Sequence, residues 1–204
     1  MGAELPKQYL TLNNQTMIES SISVLAQQED IARVVVVLAS DDVHWHQLDI
    51  ANHQKIQTTT GGQTRADSVM CGLEFLKESA APDDWVLVHD AARPFLTAAA
   101  LDRLITALHA HPVGGLLAMP VVDTLKKVDS DHIVEKTLSR ENIWAAQTPQ
   151  MFRFGILYDA MQTALAAGVA ITDESSAIEF VGKRPLLVLG DRCNIKITRP
   201  EDLE

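Results

Sequence analysis

The stretch Asp84-Trp-Val-Leu-Val-His-Asp-Ala-Ala-Arg-Pro94 decides the fold. Trp85 to Val88 form a short apolar run without alternation, the pattern of a strand buried on both faces of a parallel sheet. The run then breaks into a carboxylate, an arginine and a proline. In open α/β sheets, ligands bind outside the carboxyl ends of the strands, so a binding loop is expected at 89–94. Asp90 offers an oxygen ligand to a divalent cation or an acceptor to a substrate hydroxyl, and the planar fork of Arg93 suits a phosphate. The structural alternative is an Asp90–Arg93 ion pair that only closes the loop.

Working outward, strand-like and helical segments alternate. Residues 17–28 place Ile18, Ile22 and Leu25 on one helical face, and Val34–Ala39 is a β-branched run between the polar ends Arg33 and Ser40. A second strand is expected near Lys55–Thr59, followed by a sharp turn at Gly61-Gly62 and a helix over Ala66–Lys77. On the other side, Thr97 is placed to N-cap a helix carrying Leu101, Leu104, Ile105 and Leu108, and Gly114–Pro120 reads as the next strand. Residues 121–140 alternate instead of running apolar, with a turn at Asp129-Ser130-Asp131, which predicts a solvent-facing hairpin standing off the domain. Helices near 153–167 and 174–181 and strands near 185–189 and 194–197 complete the array. Thr198 is placed as the N-cap of a helix with Pro200 in its first turn. This alternation is the mark of βαβ units: an α/β domain with a mostly parallel sheet and helices on both faces. Such an array normally opens on a strand, yet the first segment able to form one begins at residue 34. Either the fold begins unusually or an opening strand is to be expected upstream of the chain.

Composition narrows the classes. With 204 residues, 47% hydrophobic, the chain is long enough for one domain with a full sheet-and-helix core. Lys plus Arg number 17 against 27 Asp plus Glu, a net charge of −10, which argues against tracking a nucleic-acid backbone. An anion must therefore be held by a few locally placed cations and backbone N–H groups. Two cysteines, Cys71 and Cys193, form no disulfide framework and have no metal-ligand spacing; free thiols in a reducing cytoplasm are expected. No apolar run reaches the roughly 18 residues a membrane span requires, and the start does not have the pattern of a secretion signal.

Three further places carry candidate chemistry. Lys7, set behind Pro6, is able to neutralise a phosphate, though a surface lysine has the same local sequence. Gly61, Gly62, Gln63 and Ser68 lie in a segment whose paired glycines admit a ligand to the backbone and whose serine sits in the first helical turn, at the positive end of the dipole; a plain turn is the alternative. Lys196, between Ile195 and Ile197, points off an apolar face. His44 and His46 beside Asp41, Asp42 and Asp49 lack the ordered third ligand of a metal site. Lys126-Lys127 reads as the exposed face of the hairpin. No Gly-x-Ser-x-Gly elbow or Cys–His pair follows a strand, so covalent catalysis has no nucleophile. No Gly-x-Gly-x-x-Gly follows a strand either, which disfavours a dinucleotide dehydrogenase.

Taken in order, PKQYL (6–10), GGxxRADSV (61–69), WVLVHDAARP (85–94), TPQxF (148–152), TDE (172–174) and NIKITRPEDL (194–203) resemble the 2-C-methyl-D-erythritol 4-phosphate cytidylyltransferases over essentially the whole chain. The resemblance implies a Rossmann-like nucleotidyltransferase fold of the nucleotide-diphospho-sugar transferase type. It implies transfer of CMP from CTP to a polyol phosphate, Mg²⁺ carried mainly by the CTP phosphates, and a homodimer clasped through the arm at 121–140. Lys7 then matches the lysine at the α-phosphate, and Gly61, Gly62, Gln63, Ser68 and Ala91 fall to the nucleotide, with Gln63 where an acidic residue is common. Asp90 and Arg93 match residues near the metal and the acceptor. Thr124 and Arg140 match arm residues that reach the acceptor phosphate, in the partner's site. Thr148 lines that pocket, and Lys196 helps Arg140 position the acceptor. The family opens with a strand and a Gly-rich, arginine-bearing loop running into PKQYL; Met1-Gly2 correspond to its last residues. Two alternatives stay open: a cytidylyltransferase for another polyol phosphate, such as ribitol 5-phosphate, and a non-catalytic nucleotide-binding protein.

Overall fold

A computed structural model of the chain describes residues 5–12 and 14–203. Met1 and Gly2, expected to end a Gly-rich loop, lie outside them. A single turn at Lys7–Tyr9 leads into two short antiparallel strands, β1 (Thr11–Leu12) and β2 (Gln15–Thr16). Helix α1 (Met17–Gln27) starts where Thr16 and Glu19 bond each other's backbone N–H groups, a reciprocal cap that satisfies two otherwise orphan donors. Then come β3 (Val34–Leu38), β4 (Ile56–Thr60), α2 (Arg65–Lys77) and β5 (Trp85–Val88). Helix α3 (Ala98–Leu108) is capped by Thr97 as expected, its hydroxyl accepting from Ala100 N–H. The order continues with β6 (Gly114–Pro120), β7 (Leu125–Val128), β8 (Val134–Leu138), β9 (Trp144–Arg153), α4 (Phe154–Ala166), α5 (Glu174–Phe180) and β10 (Leu186–Leu189).

The main sheet runs β10-β6-β9-β5, with β10 parallel to β6 and β9 antiparallel to both β6 and β5. Strands β5, β6 and β10 therefore share one direction and β9 alone opposes them. Strands β3 and β4 pair in parallel as a separate ribbon, and among the described residues no ladder joins β3 to β5. Successive side chains of a strand face opposite sides, and here both sides are covered. Val86, Val88 and Phe152 meet Leu157, Met161 and Ile178 of α4 and α5. Trp85, Leu87, Met151, Leu117 and Val188 meet Leu101, Leu104 and Leu108 of α3 and Leu25 of α1. A third cluster joins Ile18 and Ile22 of α1 to Val36, Tyr9 and Trp45. Truncating one such fully buried leucine to alanine costs about 2–5 kcal/mol.

Three readings are corrected. Residues 144–153 form the longest strand of the sheet, although only the motif at 148–152 drew notice from the sequence. Conversely, 194–197 is not a strand. It is an extended segment with no strand partner, tied over distance by a backbone bond from Ile197 N–H to Ala92 C=O and locally by bonds from Asn194 N–H to Asp191 C=O and Ile195 N–H to Cys193 C=O. The expected cap at Thr198 is also reversed: Asp202 reaches back to accept from Thr198 and Arg199 N–H at 2.7 and 2.9 Å, at a single turn over Pro200–Leu203. The expected hairpin is present as β7 and β8, inserted between the adjacent strands β6 and β9, with β8 exposed throughout. Cys71 and Cys193 are free thiols. Among the described residues no helix is long and apolar enough to cross a membrane.

Candidate active site

The site forms where β4, β5 and β10 end. Beyond Val88 the chain turns, with Arg93 N–H donating to Asp90 C=O at 3.0 Å, and this turn presents two side chains of opposite charge. Asp90 is the hub. Its Oδ1 accepts from Arg65 at 3.0 Å, its Oδ2 lies 2.8 Å from Lys196 Nζ, and Arg93 Nε stands 4.0 Å away. Burial alone pushes the Asp90 carboxyl up, but Arg65 and Lys196 outweigh it and hold the group below the usual carboxylate range. Burial pushes the Arg93 guanidinium down, opposed by Asp90 and reinforced by Arg65. Arg93 Nη1 donates to Asn194 C=O at 2.7 Å and Nη2 to Ala146 C=O at 3.3 Å, while its buried Nε has no hydrogen-bond partner.

The 194–197 segment closes one wall. Asn194, 0% exposed, donates from Nδ2 to Thr148 C=O at 2.8 Å. Lys7 Nζ lies 3.5 Å from Ile197 C=O, which brings residues from opposite ends of the chain together. Tyr9 braces the turn that carries Lys7 by donating to Asp42 at 2.6 Å, and Asp42 also accepts from the N–H groups of His44 and Trp45. Burial, with Asp42 as its partner, pushes the Tyr9 phenol up. The Asp42–His44 region is thus a structural brace.

The other wall is the start of α2. Thr64 and Asp67 cap it reciprocally. Ser68 Oγ accepts from Gly62 N–H at 3.2 Å, and a Cβ on Gly62 would fall 2.4 Å from Asp67 Cβ, so glycine is required here by close approach. Arg65, one residue into the helix, donates through both Nη atoms to Glu174 at 2.7 and 3.1 Å and through Nε to Asp90. Glu174 is 0% exposed; burial pushes its carboxyl up, and the two-point contact with Arg65 is the geometry of an ionised pair. Asp173 caps α5, and Gln150 bonds both Asp173 and Ser175 N–H, pinning that helix to β9.

Lys7, Asp90, Arg93, Thr148 and Lys196 are therefore brought together. Gly61, Gly62, Gln63 and Ser68 join them through Arg65, and Ala91, whose C=O accepts from Ser21 at 3.0 Å, lies inside the turn. Thr148 is 4% exposed, and its hydroxyl is already engaged with Asp90 N–H at 3.1 Å and His89 at 2.9 Å. Thr124 and Arg140 sit at the base of the exposed arm. Arg140 bonds Val122 C=O, and neither meets the Asp90 cluster within this chain. Three participants went unassigned from the sequence: Arg65, Glu174 and His89. Arg65 and Glu174 stand inside quoted motifs, but a charge in a first helical turn has the same sequence whether it faces water or a buried partner.

Asp90 does not fit a protein-held divalent cation. Both its oxygens are engaged by cations, and among the described residues no three His, Cys, Asp or Glu side chains gather into a metal site. What the cluster offers is positive charge: Arg65, Arg93 and Lys196 face two carboxylates, and Lys7 lies beside Ile197, at the edge of a protein carrying −10 overall.

Known proteins resemble this chain in sequence and fold. Residues 1–204 match the family of 2-C-methyl-D-erythritol 4-phosphate cytidylyltransferases. A relative of that name from Pseudomonas aeruginosa (strain UCBPP-PA14) is 52% identical over 204 residues, covering 100% of this chain and 87% of the relative. A crystal structure of a 4-diphosphocytidyl-2C-methyl-D-erythritol synthase aligns with a TM-score of 0.87 at 40% identity, over 97% of this chain and 91% of the other. The Francisella tularensis 2-C-methyl-D-erythritol 4-phosphate cytidylyltransferase aligns at 0.84 and 36%, over 98% and 91%. With sequence, fold and strand-end cluster in agreement, the chain belongs to the 2-C-methyl-D-erythritol 4-phosphate cytidylyltransferase family.

Proposed function

We propose that this protein transfers CMP from CTP to 2-C-methyl-D-erythritol 4-phosphate, giving CDP-methylerythritol and pyrophosphate in non-mevalonate isoprenoid synthesis. The observation that carries the reading is the meeting of Arg93 and Lys196 at Asp90, at the carboxyl end of β5, with Lys7 held against the adjoining segment at Ile197. An oxygen of the acceptor phosphate attacks the α-phosphorus of CTP in line; the new O–P bond forms as the bond to the β-phosphate bridging oxygen breaks. Such transfers ask the protein for alignment and charge neutralisation. The attacking phosphate is already anionic near neutral pH, so no side chain has to remove a proton. Lys7 serves the charge that builds on the α-phosphate, Gly61, Gly62, Gln63, Ser68 and Ala91 serve the nucleotide, and Asp90, Arg93 and Lys196 serve the acceptor side.

In this reading Mg²⁺ enters with CTP as part of the substrate, and the protein works in the cytoplasm as a homodimer. The arm supports the dimer: Val122, Ile133 and Val134 stand exposed on it or at its base, and Thr124 and Arg140 are free of their own cluster to serve the partner's. The test is pyrophosphate release by the intact protein from CTP with methylerythritol phosphate, against ribitol 5-phosphate as rival acceptor. Preference for methylerythritol phosphate supports the assignment, preference for ribitol phosphate replaces the acceptor, and no release with either rejects catalysis.

A further inference from the structure

The ladder between β5 and β9 runs from Trp85–Arg153 to Val88–Gln150 and stops. Two residues beyond the end of β5, the Asp90 N–H donates to the side chain of Thr148, at Oγ1, 3.1 Å away. Thr148 Oγ1 lies 2.9 Å from His89 Nδ1, and His89 Nε2 lies 3.2 Å from Arg93 C=O. These contacts have a single consistent direction. A carbonyl only accepts, so Nε2 carries the hydrogen; in a neutral ring Nδ1 is then a lone pair, and the Thr148 hydroxyl must donate to it. That leaves the hydroxyl oxygen to accept from Asp90 N–H. Arg93 N–H closes the circuit on Asp90 C=O at 3.0 Å.

We propose that His89 is a positioning residue for the transfer: as the neutral, Nε2-protonated imidazole it orients the Thr148 hydroxyl and ties off the Asp90–Arg93 turn, fixing where both charged side chains stand. This rests on the reading that Asp90 and Arg93 serve the reaction. Burial pushes the His89 imidazole down to about 4; the bond to Arg93 C=O and the Asp90 charge oppose that and the Arg93 charge reinforces it, so the ring stays neutral around pH 7. Protonated, Nδ1 would become a donor facing a donor. Thr148 C=O also accepts from Asn194 Nδ2, whose backbone C=O holds Arg93, so the circuit reaches the wall formed by the 194–197 segment.

The experiment compares His89→Phe, Thr148→Val, their double variant and Thr148→Ser in the full-length protein, with thermal unfolding as the control for folding. Each of the first two should lower kcat about 30–100-fold, the effect of a small misplacement of charged groups, with the CTP KM changed less than about threefold. The double variant should fall within about threefold of the worse single variant, because one circuit is broken only once, and Thr148→Ser should stay within about fivefold of wild type. Losses that multiply in the double variant, or a fully active Thr148→Val, overturn the proposal. If His89→Phe does not fold, the Thr148 pair alone decides. A second readout needs no activity: the ¹⁵N shifts of the His89 ring should show a hydrogen on Nε2 and none on Nδ1 at neutral pH. The opposite tautomer or a doubly protonated ring overturns the circuit even in an active enzyme. A wild type that releases no pyrophosphate while keeping that tautomer rejects the proposed reaction and, with it, the role of His89 in it.

Discussion

Replacing Arg65 with methionine tests the arrangement most directly, because Arg65 is the tie between α2 and both carboxylates. Its loss removes two bonds to Glu174, at 2.7 and 3.1 Å, and one to Asp90 at 3.0 Å. Asp90 keeps Lys196 at 2.8 Å, but Glu174, 0% exposed, keeps no cation. Removing one partner of a buried pair costs about 3–5 kcal/mol, and the 35% exposure of the Arg65 side chain puts this case near 3. At about 2–4 °C per kcal/mol for a domain of this size, the melting temperature should fall about 6–12 °C. The sign of the pH dependence follows from Glu174. Burial raises its native pKa, and without Arg65 only a backbone hydrogen bond at Glu174 opposes the rise. The native state then holds a proton that the unfolded chain releases, so stability is lost as pH rises through the native value. The gap between variant and wild type should therefore be wider at about pH 8 than at about pH 5, and adding Glu174→Gln should abolish the difference. Circular dichroism melts at both pH values read this out. An equal drop at the two, or a drop under about 2 °C, refutes the buried-pair reasoning.

Lys7→Ala should lower kcat about 100–1000-fold, equivalent to about 3 kcal/mol of charge stabilisation, and steady-state pyrophosphate release within a few-fold of wild type rejects the role. Arg140→Leu and Lys196→Met should each raise the KM for the acceptor more than that for CTP; an unchanged acceptor KM removes them from the acceptor phosphate. Gly115→Ala should force β6 and β10 apart, since a Cβ there would fall 2.0 Å from Leu186 C=O. An overpacking cost of about 1–3 kcal/mol should lower the melting temperature by about 2–12 °C, and an unchanged melt rejects the close approach.

The segments that announced themselves are those whose local chemistry and tertiary environment agree. Val34–Leu38 and Trp85–Val88 are short β-branched or aromatic runs, and both are strands. Thr97 was readable as a cap because its side chain acts within four residues of itself. Strand β9 was not readable: its exposed start is Trp-Ala-Ala, its buried centre contains Gln147, Thr148, Pro149 and Gln150, and the side-chain bonds those polar residues make run to partners 23 to 59 residues away. The reverse error at 194–197 has the same source. Ile195-Lys196-Ile197 alternates like a strand, but the bonds that order it run to Ala92, Arg93 and Lys7, which no local window contains. Lys7, Asp90, Arg93 and Lys196 were legible because ordered motifs pick them out. Arg65, Glu174 and His89 matter through what they touch, and touching is settled only by the fold.

The loop at Gly61 and the turn at Asp90 are carried by different strand ladders, and α1, α2 and the Arg65 fork tie the two together. A molecule bound across both would add its own contacts to that tie, and so act as a splint that raises the stability of the folded chain.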